Sequence, residues 1–401
     1  MKKVLSSRFF KIFLFANILV VLLFLVCLIP GESLRSNVIK SFPNDTSFNN
    51  SSNLSLDDFN ADAVAFNIMM ADGKFSLVDN VFKAYRFGEV NTLKFIFQLK
   101  SYLYEDCNDY SEYIQYWHGY RVLWKPLLLF LDRDKIECLV FLVYLIAFLV
   151  VGHKFIKEKD YYLVLALSIV NIIFIFLGGF CTLEYVPIYF ITLIGITLVY
   201  TEKCDYIVLF SCLGISTAFF DFLTAETLTF TLPFFILLYK NKAKFSDFLK
   251  CGFSWFLSYI GMFLYKYILM CIIYKENFFS KVVQIYKRDF VYDTMKVDRL
   301  NAIRFNLVKL VGDNMWGYFI LIFILFVLAY LFRSDKITAS SYVISILLFI
   351  IPYVRYYILF SHSFNLWSFT YRAQMIDVLI IFLLFKYIFF KRRKERNYVK
   401  T

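Results

Sequence analysis

The chain is built from long apolar runs that recur along nearly its whole length, the first from Phe9 to Pro30. About 20 apolar residues in a helix cross roughly 30 Å of hydrocarbon, and within lipid only a helix or a closed barrel satisfies its own backbone. Barrel strands would alternate polar and apolar side chains, and no such alternation is present. The runs predict an all-α polytopic transmembrane bundle of about ten helices, near 9–30, 136–152, 160–178, 185–200, 205–221, 226–240, 251–273, 314–332, 338–358 and 373–390. Composition agrees: 60% of residues are hydrophobic and only 18% charged, a balance foreign to soluble globular domains. Met1-Lys2-Lys3 ahead of the first run has the look of a secretory signal. Its apolar core is too long and lacks a small-x-small cleavage site, so an uncleaved first span is expected.

The net charge of +12 does not point to nucleic acid, because most Lys and Arg residues stand between the apolar runs and in the basic tail 391–401. With the N-terminus inside, Lys154/Lys157/Lys159, Lys240/Lys242/Lys244/Lys250 and Arg333/Lys336 all fall on the cytoplasmic side, as the positive-inside rule requires. Both termini are then cytoplasmic, and the expected location is a bacterial cell membrane. After the first span (1–30), this leaves 31–135 as an extracytoplasmic loop, 136–273 as spans two to seven, 274–313 as a second outer loop and 314–390 as spans eight to ten.

The large loop opens with a polar, low-complexity stretch, Asn44 to Ser55. Further on, Tyr113, Tyr116/Trp117, Tyr120 and Trp124 recur at helical spacing and predict one aromatic stripe. Aromatic rings with a polar tip favour the water–lipid boundary, so an interfacial amphipathic helix is expected there, bent by Pro126 toward the second span.

Charge is costly in hydrocarbon, so titratable groups near span ends are pointers to function. Asp57/Asp58, Asp62, His118, Arg121, Lys125, Glu184, Asp221, Glu226, Arg355, His362, Tyr371 and Arg372 all fall on the outer side of this topology. Each has a plainer reading: Asp221 and Glu226 as helix caps, His118 as an interfacial ring, Arg372 as a snorkelling side chain. It is their shared side that suggests an outward-facing, substrate-lined cavity. No P-loop, HExxH or Gly-x-Ser-x-Gly is present, nor an internal repeat, which argues against an ATP-driven pump, a zinc protease, a serine hydrolase and a repeat-built transporter. The 8 cysteines form no CxxC pair and read as small core residues.

Many spans, a large first outer loop with acidic residues and membrane-surface helices: this layout resembles the GT-C class of membrane glycosyltransferases. The resemblance is architectural, and it covers most of the chain. Tyr116 to Leu128 and Ser361 to Arg372 are also similar to uncharacterised multi-spanning proteins of AT-rich bacteria. The GT-C resemblance implies transfer of a sugar from a polyprenyl-phosphate donor in the membrane lipid to a cell-surface glycan or glycolipid. It implies a catalytic carboxylate, for which Asp62 or Asp58 is the expectation. Substrate contacts are expected from His118, Arg121, Lys125, Asp221, Glu226, His362, Tyr371 and Arg372, the cationic and imidazole groups serving the departing phosphate. Asp57-Asp58 follows a polar linker of almost thirty residues, whereas the class carries its acidic pair shortly after the first span. A resident cofactor is not implied, and a divalent metal is compatible without being required. The alternatives are a transporter or flippase of lipid-linked glycans and an accessory membrane subunit.

Overall fold

Each of the ten expected spans is a helix in the structure, a computed structural model that describes residues 7–43, 56–88, 95–105, 109–180, 182–286, 298–332 and 338–389. The helix α1 (Arg8–Cys27) starts where the Ser7 hydroxyl caps the Phe10 amide. The segment that follows it contains α2 (Arg35–Ser41), α3 (Leu56–Ala71), α4 (Leu77–Phe82), strand β1 (Arg86–Phe87), α5 (Phe95–Tyr104), strand β2 (Tyr110–Ser111) and α6 (Arg121–Leu128). The two strands pair antiparallel, Arg86 opposite Ser111. Then come α7 (Arg133–Lys157), α8 (Tyr161–Phe176), α9 (Pro187–Thr201), α10 (Tyr206–Phe220), α11 (Leu228–Tyr239) and α12 (Phe245–Tyr274). Two helices, α13 (Phe278–Tyr286) and α14 (Arg299–Val311), fall in the second loop. The chain finishes with α15 (Met315–Phe332), α16 (Ala339–Ile358), the short α17 (Phe360–Asn365) and α18 (Trp367–Thr370), a 3₁₀ turn Tyr371–Gln374 and α19 (Met375–Phe389).

Five of these helices, α1, α7, α12, α15 and α16, are long and apolar enough to cross a membrane. Their outward faces carry Phe9, Ile146, Val150, Phe253, Ile272 and Phe323, all exposed, as a surface solvated by lipid tails would. Helices α8, α9, α10 and α11 are apolar but shorter. At 15 residues, α10 reaches only about 22 Å, short of a full crossing.

Length differences shape the bundle. One end is tied by Arg8–Asp205 at 2.6 Å, by Lys240 and Lys242 on Glu202, and by Lys386 on the Tyr239 carbonyl. From this end α10 and α12 rise side by side. Gly214 lets them touch, since a Cβ there would lie 2.3 Å from the Trp255 carbonyl oxygen. At the other end, here the loop end, α10 stops near the level of Met262, while α12 continues from Met262 to Tyr274, roughly 18 Å further. A recess results, and the segment 109–120 fills it.

That filling corrects the expectation of one interfacial helix over 110–126. Only Arg121–Leu128 is helical, and the aromatic stripe is not at a lipid boundary: Trp117 and Tyr120 are fully buried. The reason lies in competing partners for the backbone. The carbonyl of Gln115 accepts from the Tyr267 hydroxyl at 2.8 Å, and that of Tyr116 from the Lys266 ammonium. Trp117 Nε1 donates to the Met262 carbonyl at 2.9 Å, and the Gly119 amide to the Phe219 carbonyl at 2.9 Å. With those groups bonded to α10 and α12, no helix ladder is needed, and irregular backbone is tolerated because protein surrounds it. Gly119 is obligatory here, because a Cβ would sit 2.3 Å from the Phe219 ring. Burying each large ring stabilises the plug by about 1.5–3 kcal/mol.

Candidate functional site

The floor of the recess is the turn between α10 and α11. Asp221 ends α10, its Oδ1 accepting from the Thr224 hydroxyl at 2.7 Å and its Oδ2 from the Thr224 amide at 3.0 Å. The turn holds Leu223 at φ +60°, a conformation costly for a branched side chain. Phe222 projects from it into a cage of Tyr116, His118 and Tyr120, with ring centroids 4.7, 5.3 and 5.3 Å away. Glu226, at the far side of the turn, accepts from Arg355 Nε at 2.8 Å. Arg355 also donates to Ser363 Oγ at 2.7 Å and to the Leu223 carbonyl, so it rivets the turn to α17. His362, next to Ser363, is held neutral: burial, then the Arg355 charge, brings its imidazole down to about 3.

One wall comes from α3 and the segment between α8 and α9. Asp62 is fully buried, and both its oxygens are committed: Oδ2 to Arg133 Nε at 2.6 Å, and Oδ1 to the amides of Leu183 at 2.8 Å and Glu184 at 3.3 Å. This clamp fixes Glu184 in the recess. The Glu184 side chain is 2% exposed, and its Oε2 has no hydrogen-bond partner among the described residues. Burial, reinforced by the charges of Asp62 and then Asp221, pushes its carboxyl well above the usual range.

Arg372 faces the same segment. Its guanidinium is fully buried, lies over Tyr185 at 5.3 Å and Phe369 at 5.5 Å, and reaches Thr182 Oγ1 only at 3.5 Å. Nε and Nη1 have no partner among the described residues, an unusual condition for a buried cation. Tyr371 beside it donates to the Leu177 carbonyl at 2.8 Å. A narrow apolar cleft lined by Tyr144, Asn171, Tyr189, Thr192, Leu232 and Met375 leads between α7, α8, α9, α11 and α19. Tyr189 belongs to that cleft and is also an electrostatic neighbour of Arg372.

Of the residues singled out in the sequence, Asp62, Asp221, Glu226, His118, His362, Tyr371 and Arg372 thus meet at the loop end, with Asp62 and Arg372 flanking one short segment. His118 stands at φ +56° with its Nε2–H on the Tyr113 carbonyl at 2.8 Å. Burial, with Lys266 and Arg121 nearby, keeps it well below the usual imidazole range. Arg121 and Lys125 are turned elsewhere: both bind Asp72, at 3.2 and 2.5 Å, and all three are buried. Arg121 adds the Asn80 carbonyl at 2.8 Å and Cys27 Sγ at 3.2 Å, so this trio ties α6 to α1 and α4. The side chain of Asp58 lies outside the described residues. Among those described, no three His, Cys, Asp or Glu side chains are grouped to hold a metal.

Fold and site together define a predominantly helical protein with five helices long and apolar enough to cross a membrane and a buried polar recess at one end. No family model, curated protein or solved structure matches the chain.

Proposed function

We propose that the chain is a GT-C-like membrane glycosyltransferase that moves a sugar from a polyprenyl-phosphate donor to a cell-surface glycan or glycolipid. The observation that carries the reading is Arg372: a buried guanidinium whose Nε and Nη1 have no hydrogen-bond partner among the described residues, beside Tyr189 of the apolar cleft and sharing Tyr185 as a neighbour with Glu184. A lipid chain in the cleft would bring its phosphate to those donors. We assign the base to Glu184 in place of Asp62, whose oxygens are spent on Arg133 and two amides. In the step, Glu184 takes the proton of the acceptor hydroxyl, and the acceptor oxygen bonds to the anomeric carbon. The bond from that carbon to the phosphate oxygen breaks, and the lipid phosphate leaves as an anion against Arg372. The end opposite the recess carries Lys154, Lys157, Lys240, Lys242 and Lys244, and the positive-inside rule supports a reading with the recess on the outer face of a cell membrane and both termini in the cytoplasm.

A transporter or flippase of lipid-linked glycans would need a polar path to the opposite end. Further along the same helices toward the opposite end the packing is Ile344, Leu348, Ile380, Leu383 and Leu384, all buried, which favours chemistry at one face. The test is to compare envelope glycans and lipid-linked sugars in cells carrying the wild type, Glu184→Gln or Arg372→Gln at matched membrane levels. Accumulated sugar-charged lipid and a missing glycan residue are expected for both variants. Unchanged glycans with either variant would reject the reading.

A further inference from the structure

A second buried carboxylate lies outside this recess, between α15, α16 and α19. Asp377 is fully buried in the first turn of α19. Its Oδ2 accepts the Tyr353 hydroxyl at 2.5 Å and the Tyr318 hydroxyl at 3.3 Å, and those hydroxyls are 3.4 Å apart. Its Oδ1 has no hydrogen-bond partner among the described residues. No Lys, Arg or His stands within ion-pair distance of it there. The start of a helix favours a negative charge, but by well under what burying one costs.

A second acceptor in the same condition is one turn away. Gln374, fully buried in the 3₁₀ turn that runs straight into α19, leaves its Oε1 without a partner among the described residues. Its Nε2 donates to the Asn306 carbonyl at 2.8 Å and lies 3.5 Å from the Tyr356 hydroxyl. That amide orientation is fixed, because Nε2 must face the carbonyl. Residues three apart share a helix face, and the side chains converge further: the ring of Tyr356 packs edge-on to Tyr353, centroids 6.2 Å apart, and Tyr353 holds Asp377. Two buried oxygen acceptors three residues apart, one of them carrying a negative charge, thus have no donor or cation facing them among the described residues.

We propose that Asp377 and Gln374 hold a monovalent alkali cation, Na⁺ or K⁺, with the tyrosine hydroxyl oxygens completing an all-oxygen shell. Hard cations take oxygen donors, and a single carboxylate matches a single charge, whereas a divalent ion would call for more acidic ligands than this pocket offers. Bound there, the ion joins α15 and α16 to α19 immediately below Arg372, which makes the order of the 371–374 turn depend on it. The proposal does not rest on glycosyl transfer.

The test uses the full chain in lipid nanodiscs, with thermal unfolding followed in choline chloride replaced stepwise by NaCl or KCl at constant ionic strength and pH. A saturable rise in the midpoint with one alkali ion is expected for the wild type. It should vanish in Asp377→Asn and need ~tenfold more salt or beyond in Gln374→Leu. Should Asp377→Asn not fold, Gln374→Leu alone decides. Equal midpoints in choline and both alkali salts would overturn the proposal, as would a salt response that survives both substitutions. A response to pH without one to either alkali ion would equally overturn it, leaving Asp377 a simple buried acid.

Discussion

Replacing Asp72 by Asn keeps the shape of the side chain and removes the one carboxylate among the described residues within ion-pair distance of two fully buried cations, Arg121 and Lys125. Removing one partner of a buried ion pair typically costs about 3–5 kcal/mol, most of it the price of leaving the other charge uncompensated. The two cations are not equally exposed to that loss. Arg121 keeps the carbonyls of Asn80 and His118 at 2.8 and 3.2 Å, whereas the Lys125 ammonium rests on Asp72 at 2.5 Å. Most of the cost should therefore fall on Lys125, and Asp72→Asn combined with Lys125→Met should recover roughly 1–3 kcal/mol of it, a coupling of the size contacting charges show. Unfolding in nanodiscs or by graded denaturing detergent, read from tryptophan fluorescence, measures both variants. A loss below about 1 kcal/mol for Asp72→Asn, or no recovery in the double variant, would refute the view that this trio locks α6 to α1 and α4.

Gly119→Ala should disrupt the plug, because its Cβ meets both the Phe219 ring and the Phe219 carbonyl oxygen; a drop in melting midpoint with new protease sensitivity near 109–120 would register it. His362 binds its proton near pH 6.5 when unfolded but only near 3 when folded, so its share of stability is complete above about 6.5 and is lost as pH falls toward 3. At pH 5 that share is down by about 2 kcal/mol, and a His362→Gln protein should melt with a visibly flatter dependence between pH 7 and 5. Under the proposed function, Arg372→Lys should rescue little of what Arg372→Gln loses, since a point charge does not reproduce the planar fork; near-normal turnover of a polyprenyl-phosphate sugar by the lysine variant would contradict the phosphate role.

The helices were legible because lipid leaves a chain few options: each apolar run had to be helical, and each is. What the runs did not reveal was depth. Nothing in the residues 205–221 announces that the helix stops about 18 Å short of its neighbour α12, and it is that difference which turns an expected surface helix over 110–126 into a buried plug. The aromatic spacing was real, but Lys266 and Tyr267 took the backbone carbonyls that a helix would have used. Partner choice was equally invisible. Asp62 stood out as a candidate base, yet Arg133, 71 positions away, claims it, and Asp72 claims the two cations expected to face a phosphate. Lys266 and Asp377 do carry a readable signal, a lone charge inside an apolar stretch of helix.

These particulars bear on where chemistry can happen. A long helix would carry its end groups into bulk water, where a carboxylate and a guanidinium are ordinary and weakly coupled. A short one sinks the same groups among Phe222, Tyr185 and Phe369, where Glu184 feels Asp62 and Asp221, and where the unpaired nitrogens of Arg372 have nowhere else to turn. The strain at His118 and Leu223 sits in the two segments that close this space, one from above and one from below. If the recess were only packing, lengthening α10 and relaxing both backbones would be stabilising and harmless. Its composition is unusual for packing alone: Asp62, Glu184, Asp221, Glu226, Arg355 and Arg372 are all buried around the end of a helix only 15 residues long, in a chain that is 18% charged.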